Sequence, residues 1–502
     1  MAEVTVTFPA MQLPASDSAA TSIHSQDVEK DSVDQINKFN PAELELPAKL
    51  GHSSFTRWLY HIAFSYYRKT FTLIFVANLI AFIVFVVRKD GHPLAPNVGS
   101  AASVNLMVTL LFRQENFVNL AYEMAVACPH SAPLWLRRRL AKVFHYGGAH
   151  SGAGVAAVVW YIMYTAVTTR DYIAHPDKWA LANLATSYIL VTMFIFILAA
   201  AHPVLRRRYH DYFEAVHRYS GWVALGTFWM HSIFAANEYR VFEMGPPSLG
   251  RYLISTPNFW TLCVSTSCSI LSWGRLRRHD VYPEVLSSHA IRLHFKYRDM
   301  DPFYGLKVST RPLLEWHAFA TIPDDDGTGP QGFSVVVSNA GDWTRECIAN
   351  PPKKLWVRGY PMHGLLYTSK LFKKIVVVAT GSGIGPCLSL FYADVTPRRV
   401  FWSTSNPLVT YGEKIMDAVK KADPDAWIWG RFSISCPSTE LTDEILDTRK
   451  DGRPDMVAIT YKLVVESQAE AVFIISNPKL TRRVVYGMGS RGIAAYGAIF
   501  DS

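Results

Sequence analysis

The chain has 502 residues, enough for two or three domains and a large core. Half of it is hydrophobic and 13% aromatic, while only 18% is charged, which is low for a soluble protein. The net charge of +9 does not point to nucleic acid, because the arginines cluster beside apolar runs, and the six scattered cysteines lack disulfide or metal spacing, which fits a reduced setting.

Residues 1–51 are polar, without an apolar period, and read as a disordered cytosolic tail with no signal peptide. Residues 52–278 read as a transmembrane helical domain. Stretches 71–87, 149–169, 179–201, 219–237 and 252–274 carry no charge, and each approaches the ~20 residues a helix needs to cross a bilayer. A sixth, 94–112, carries Asn97, Ser100, Ser103, Asn105 and Thr109 and runs on into Arg113, Glu115, Asn116 and Asn119. It packs inside the bundle or lies at the interface. Basic residues cluster in alternate loops: Arg57, Arg68 and Lys69; Arg137, Arg138, Arg139 and Lys142; Arg206, Arg207, Arg208 and Arg218; Arg275, Arg277 and Arg278. The positive-inside rule then predicts a multi-pass protein with both termini in the cytosol, its arginine triplets setting topology and meeting lipid headgroups.

After Arg278 the composition becomes that of a soluble domain. Alternating stretches 289–297, 305–310, 315–322, 332–338 and 354–358 predict a β-barrel over 285–370. From 371 to 502 strand and helix alternate, with strands expected at 374–379, 400–403 and 471–476. Residues 375–390 read IVVVATGSGIGPCLSL: an apolar strand, a turn with Gly381, Gly383 and Gly385, then Pro386 in a first helical turn. Such a turn can present backbone N–H groups to a nucleotide pyrophosphate. An ordinary strand–helix turn is the alternative.

A membrane bundle, a β-barrel and a nucleotide-binding α/β domain, in that order, resemble the ferric reductase/NADPH oxidase superfamily. In the barrel, Glu315-Trp316-His317-Ala318-Phe319-Ala320-Thr321 resembles the flavin-binding His-Pro-Phe-Thr/Ser motif, with Ala318 for the proline and Ala320 for the hydroxyl residue. Ser338-Asn339-Ala340-Gly341-Asp342-Trp343-Thr344 resembles the segment that faces the FAD pyrophosphate, and Arg358-Gly359-Tyr360-Pro361 the turn that follows. The loop from Gly381 to Pro386 matches the nicotinamide-nucleotide loop. Ser476-Asn477-Pro478 stands where these reductases carry Cys-Gly-Pro, and Phe500 where an aromatic residue covers the flavin. The segment from Arg208 through His217 is similar to the one that leads into a haem helix. The nearest likeness is to fungal transmembrane flavoproteins of a branch whose segments also occur fused to adenylate-forming, synthetase-like enzymes.

The resemblance implies an integral-membrane oxidoreductase that carries FAD, takes electrons from NADH or NADPH, and passes them to a small-molecule acceptor in secondary metabolism. A membrane flavoprotein that keeps the fold for binding or signalling is the alternative. For haem the candidate ligands are His145, His217 and His231. His217 and His231 are ~21 Å apart along one helix face. Counting the same interval from His145 reaches Val158 and Val159, so at most one haem is expected, at the cytosolic end. An isolated His231 can equally serve as a hydrogen-bonding residue between helices.

Overall fold

The structure is a computed structural model, which describes residues 46–50, 53–59, 64–89, 91–243, 245–325, 330–429 and 455–498. The helical region comprises α1 (Tyr66–Arg88), α2 (Ala95–Leu111), α3 (Glu115–Val126), α4 (Gly147–Ala174), α5 (Lys178–Ala200), α6 (His210–Tyr239), α7 (Leu249–Ser255) and α8 (Pro257–Trp273). Helix α1 is apolar all round and none of its residues is buried by protein, the composition of a helix with lipid for a neighbour. It lies against α4 through two glycines. A Cβ on Gly148 would stand 2.4 Å from the Tyr67 carbonyl oxygen, and one on Gly152 2.9 Å from that of Phe71. Small residues four apart let two helix backbones approach this closely.

The expectation of six spans is not met. Among the described residues three helices, α1, α4 and α5, are long and apolar enough to cross a membrane. The bent pair α2 and α3, 72° apart, brings the number to four if it counts as one span. The stretch 252–274 is broken at Thr256, which is extended, and Pro257, which opens α8. Proline removes a helix donor and pushes its predecessor out of the helical region. The stretch 219–237 lies within α6, whose 30 residues include several charged side chains.

The bend after α2 sends α3 onto the soluble half. Gln114 caps α3 by accepting from Phe117 N at 2.8 Å. Val118 and Tyr122 then join one buried core with Leu366, Tyr367 and Phe391. A short helix, Leu134–Leu140, continues this docking. Arg137, one of the arginines expected at lipid headgroups, is instead buried. It forms a two-pronged pair with Glu470 at 2.7 and 3.0 Å and donates to Leu371 O at 2.8 Å. Tyr496 donates to the Arg138 carbonyl at 2.9 Å. Residues on the N-terminal side of 278 thus share a core with the C-terminal domain.

The barrel is two four-stranded antiparallel sheets. One runs β1 (Arg277–Asp280), β8 (Lys354–His363), β4 (Tyr304–Ser309), β5 (His317–Ala320). The other runs β2 (Tyr282–Val285), β3 (Ala290–Phe295), β7 (Pro330–Ser338), β6 (Ile322–Asp325). The alternation read in the sequence puts Ile291, Leu293 and Phe295 against Phe333, Val335, Leu306 and Val308. Helix α9 (Asp342–Ala349) closes one end with Cys347.

The last domain is a five-stranded parallel sheet in the order β11 (Trp427–Trp429), β10 (Arg398–Ser403), β9 (Ile375–Thr380), β12 (Ala471–Ile475), β13 (Ala494–Gly497). Ile375 to Ala379 are fully buried, because both sheet faces are covered, hence their unbroken apolar run. The chain starts at β9, moves outward one way, and returns to build β12 and β13 on the other side. The gap between β9 and β12 is therefore the switch point, where open α/β sheets bind ligands at their strands' carboxyl ends. Helix α10 (Ile384–Ala393) leaves that point and packs against the barrel. Phe303 N donates to its Ser389 Oγ at 2.6 Å.

Candidate active site

The glycine turn lies at the switch point. Its three glycines do different work. Gly381 has φ +50°, and a Cβ there would meet only the Tyr411 hydroxyl, at 3.9 Å. It leaves the carboxyl end of β9 open. Gly383 faces inward: a Cβ would stand 2.1 Å from the Ile475 carbonyl oxygen. It is the glycine that lets α10 close on β12. Gly385 turns to the barrel, 3.5 Å from Val336 Cβ. Pro386 occupies the first turn of α10, where a missing N–H leaves no bond unmade. Free N–H groups of this turn and the helix dipole both favour a phosphate.

Two hydroxyls face each other across the switch point, Thr380 Oγ1 and Ser476 Oγ, at 2.5 Å. Ser476 is the residue that stands where the resembled reductases carry a cysteine. Trp402 Nε1 donates to Gly381 O at 3.0 Å and fixes the turn, so this tryptophan does more than pack. Tyr411 lies on it at 5.4 Å, its hydroxyl pushed up to about 12 by burial. Sequence reasoning missed Thr380 and Tyr411. The strand's last residue is the usable signal for the first; nothing local marks the second.

On the barrel, the His317 ring stacks on Trp343 at 4.1 Å and 22°, with Phe319 5.9 Å from the same indole. Burial lowers the His317 pKa, while Glu315, 3.5 Å from Nε2, works against it. His317 is thus neutral near pH 7. Ala318 lies opposite Lys307, and Ala320 opposite Gly305. The Thr321 hydroxyl is buried and donates to Tyr304 O at 2.9 Å. Thr344 is used locally: its hydroxyl accepts from Ala340 N and Gly341 N, both at 2.9 Å. The Asp342 carboxylate is fully exposed, 3.4 Å from Arg345. Trp343 donates to Thr310 Oγ1 at 3.1 Å. Phe500 lies outside the described residues.

Where the barrel meets the helical region, positive charge accumulates. The Arg358 guanidinium sits over the rings of both Trp273 and Trp316, 4.3 and 4.7 Å from their centres. Its Nε is buried without a hydrogen bond, and burial pulls its pKa down to about 10. Lys307, across the strand pair, is pulled down to about 8, by burial first and by Arg358 second. These two cations, which the nearby Glu115 and Glu214 carboxylates partly offset, suit an anionic ligand such as a diphosphate. The sequence reading passed over Lys307, since one lysine in an alternating strand reads as solvated.

The histidines fall into two levels. His217 on α6 faces His150 on α4, with ring centres 6.4 Å apart. His145, the expected partner, instead packs on Phe144 and Tyr66. Deeper in the bundle His231 is buried, its Nδ1 3.1 Å from Thr186 Oγ1 and its Nε2 3.4 Å from the Tyr161 hydroxyl. Across from it on α4 stand Tyr161 and Tyr164, at 5.9 and 5.3 Å between ring centres. Among the described residues, no group of three or more His, Cys, Asp or Glu could hold a metal ion.

An open glycine turn thus stands at the switch point of the α/β sheet, and the barrel carries an aromatic and cationic face. Residues 365–502 match the family described as the C-terminal domain of adenylate-forming reductase 03009. The chain is 43% identical over 446 residues to adenylate-forming reductase 03009 of Coprinopsis cinerea, covering 89% of this chain and 41% of that protein. It is 41% identical over 462 residues to adenylate-forming reductase 06235 of the same fungus, covering 92% and 42%. The chain thus spans about two fifths of the length of these curated relatives. Among solved structures it is similar to the flavohemoglobin of Malassezia yamatoensis (11% identity, TM-score 0.36, 80% of this chain and 98% of that one). Another is the ferredoxin reductase in carbazole 1,9a-dioxygenase (14% identity, TM-score 0.33, 45% and 70%).

Proposed function

We propose that this chain is a flavin-dependent NAD(P)H oxidoreductase held in a membrane by its helical region, with its nucleotide site on the cytosolic side. The observation that carries this reading is the turn at Gly381: an open, positive-φ glycine at the switch point, in the turn before a helix that packs against barrel strands. The names of the relatives support a reductase. The three long apolar helices and the basic loops support the membrane anchor and its orientation.

The residues present fit both nucleotides. Gly381, Thr380 and Ser476 would receive NAD(P)H, with Trp402 holding the turn in shape. His317, Phe319 and Trp343 form the aromatic bed for FAD, and Lys307 and Arg358 the charge for its diphosphate. Bound together, the two cofactors supply hydride transfer and onward electron delivery. The chain's own part is to bind, to orient, and to keep His317 neutral beside the reacting rings.

His150 and His217, with ring centres 6.4 Å apart, would be the residues to hold a haem, which would supply one-electron transfer. His150 Nδ1 is already fixed by Thr109 O at 2.9 Å, the outer contact such a ligand uses. At the deeper level a tyrosine faces His231, which supports a single haem.

The local use of Thr344, and Ala318 and Ala320 in the barrel, favour a second reading: a flavoprotein that binds without turnover. One experiment separates them. In the full chain purified in detergent, the flavin band is expected to bleach on adding NADPH or NADH without oxygen. A flavin band that stays unbleached would leave the binding reading standing. A folded chain that takes up no FAD would overturn both.

A further inference from the structure

The barrel turn between β4 and β5 meets the helical region at a definite level. Residues 310–316 read TRPLLEW. Their backbone is tied up locally. Leu314 N and Glu315 N donate to Arg311 O at 2.9 and 3.2 Å, and Trp316 Nε1 donates to Pro312 O at 2.8 Å. At the tip Leu313 and Leu314 are 55% and 52% exposed. Exposed leucines alone mean little, so their place must decide.

That place is fixed by α6. Arg218 Nη1 and the Tyr219 hydroxyl donate to the Leu313 carbonyl at 2.7 and 3.0 Å. This level divides the helix. Asp211, Glu214 and Arg218 come before it, and from Tyr219 to Asn237 there is no Asp, Glu, Lys or Arg. Over this apolar part Tyr219, Val223, Met230 and Ile233 are exposed, and a Cβ on Gly226 would meet nothing within 4 Å. Steps of four and three put all five on one face, which the described residues leave open and which suits lipid. A second observation marks the same level. From Tyr219 the rings of Trp222, Trp273 and Trp316 follow one another at 5.4, 5.0 and 6.1 Å. Aromatic belts of this kind stand at the headgroups, and Trp316 carries this one onto the barrel. Arg311 is exposed, and no carboxylate among the described residues pairs with it. A free cation at this level favours anionic lipid.

We propose that this turn is a membrane contact of the barrel. Leu313 and Leu314 enter the boundary between headgroups and acyl chains, and Arg311 meets an anionic headgroup. The proposal rests on the membrane reading of the helical region and goes beyond it. It lays the barrel itself on the bilayer, beside the proposed flavin bed, which begins at His317, the residue after the turn.

The test uses the full chain in nanodiscs. Leu314, Ile233 on the open face of α6, and Val465, exposed on the α/β domain, are singly replaced by 4-trifluoromethyl-phenylalanine. Dissolved oxygen, which concentrates among acyl chains, and a gadolinium chelate, which stays in water, each broaden the fluorine signal. At 314 the ratio of oxygen to chelate broadening is expected to be at least ~2-fold above that at 465, towards that at 233. Adding phosphatidylserine to phosphatidylcholine discs should raise it further, and Arg311→Gln should abolish that rise. Position 313 takes the label if the 314 variant does not fold. A 314 signal like that at 465, beside a lipid-like signal at 233, would overturn the proposal and leave the membrane reading standing. Water-like signals at both 314 and 233 would overturn both. A 314 signal shielded from both reagents would mean that a second copy of the chain covers the turn, and would overturn the proposal too. A phosphatidylserine response that survives Arg311→Gln would overturn the part given to Arg311.

Discussion

The two sides of the proposed nucleotide site are made in opposite ways. On the α/β side the shape is set by packing. Gly383 lies against a backbone carbonyl, Trp402 ties down the turn, and Thr380 and Ser476 satisfy each other. On the barrel side the site is set by charge that is only partly offset. Lys307 and Arg358 are desolvated, the Glu115 and Glu214 carboxylates counter them in part, and one guanidinium nitrogen is unpaired. One side is complete without its ligand, whereas the other carries a cost that a ligand relieves. Substitutions on the first side should show in folding, and those on the second in binding.

The largest effect is expected at Gly383. A Cβ 2.1 Å from the Ile475 carbonyl cannot be accommodated by a side-chain rotation. Gly383→Ala should therefore cost ~3 kcal/mol or more, as overpacking against backbone does, seen as a large fall in Tm. A loss below ~1 kcal/mol would mean the turn is soft and the contrast is lost. Lys307→Met should do the reverse. It removes a half-buried, desolvated cation, so the apo protein gains stability while FAD affinity falls at least ~10-fold. The pH signature has a definite sign. The folded-state pKa of about 8 lies below the ordinary lysine value, so the unfolded chain binds more protons between the two. Stability of the apo protein should rise with pH above about 8, and FAD affinity should fall there; in Lys307→Met both trends should vanish.

Smaller effects sharpen the contrast within a single turn. Gly381→Ala puts a Cβ into open space at φ +50°, which costs only about 1 kcal/mol of stability. NAD(P)H should nevertheless reduce the variant at least ~10-fold more slowly at low concentration, for want of close backbone approach. Normal kinetics would place the dinucleotide elsewhere. The least change is expected from Thr344→Val, which frees two backbone N–H groups and should cost ~0.5–1 kcal/mol. No change in Tm would mean that the Thr344 bonds do not stabilise the turn.

What could be read in the sequence followed from how local the cause was. The strand Ile375–Thr380 and its glycine turn stood out because burial on both faces demands an unbroken apolar run. The barrel strands showed their alternation. Other features depend on partners distant in sequence. Arg137 looked like part of a surface triplet, and only Glu470, far along the chain, makes it a buried anchor. The haem register failed for a geometric reason. His145 ends a 3-10 segment, Ala141–His145, and α4 begins only at Gly147. Angles of 100° per residue hold within one α-helix, not across that junction. Counted from His150, the same interval reaches Tyr164, the residue that does face His231. The count of spans exceeds the three or four helices that are long and apolar enough among the described residues, in part because apolar length outweighed a visible signal, Pro257.

The docking of α3 bears on how such a protein is made in the cell. The bed for Val118 and Tyr122 belongs to the C-terminal domain, but the residues that fill it leave the ribosome much earlier. A fragment starting at 279 would show that bed to water and leave Glu470 without its arginine. It should be prone to self-association. In the full chain the order of synthesis removes this hazard. The early helices offer a surface on which the later domain can finish its core as it emerges.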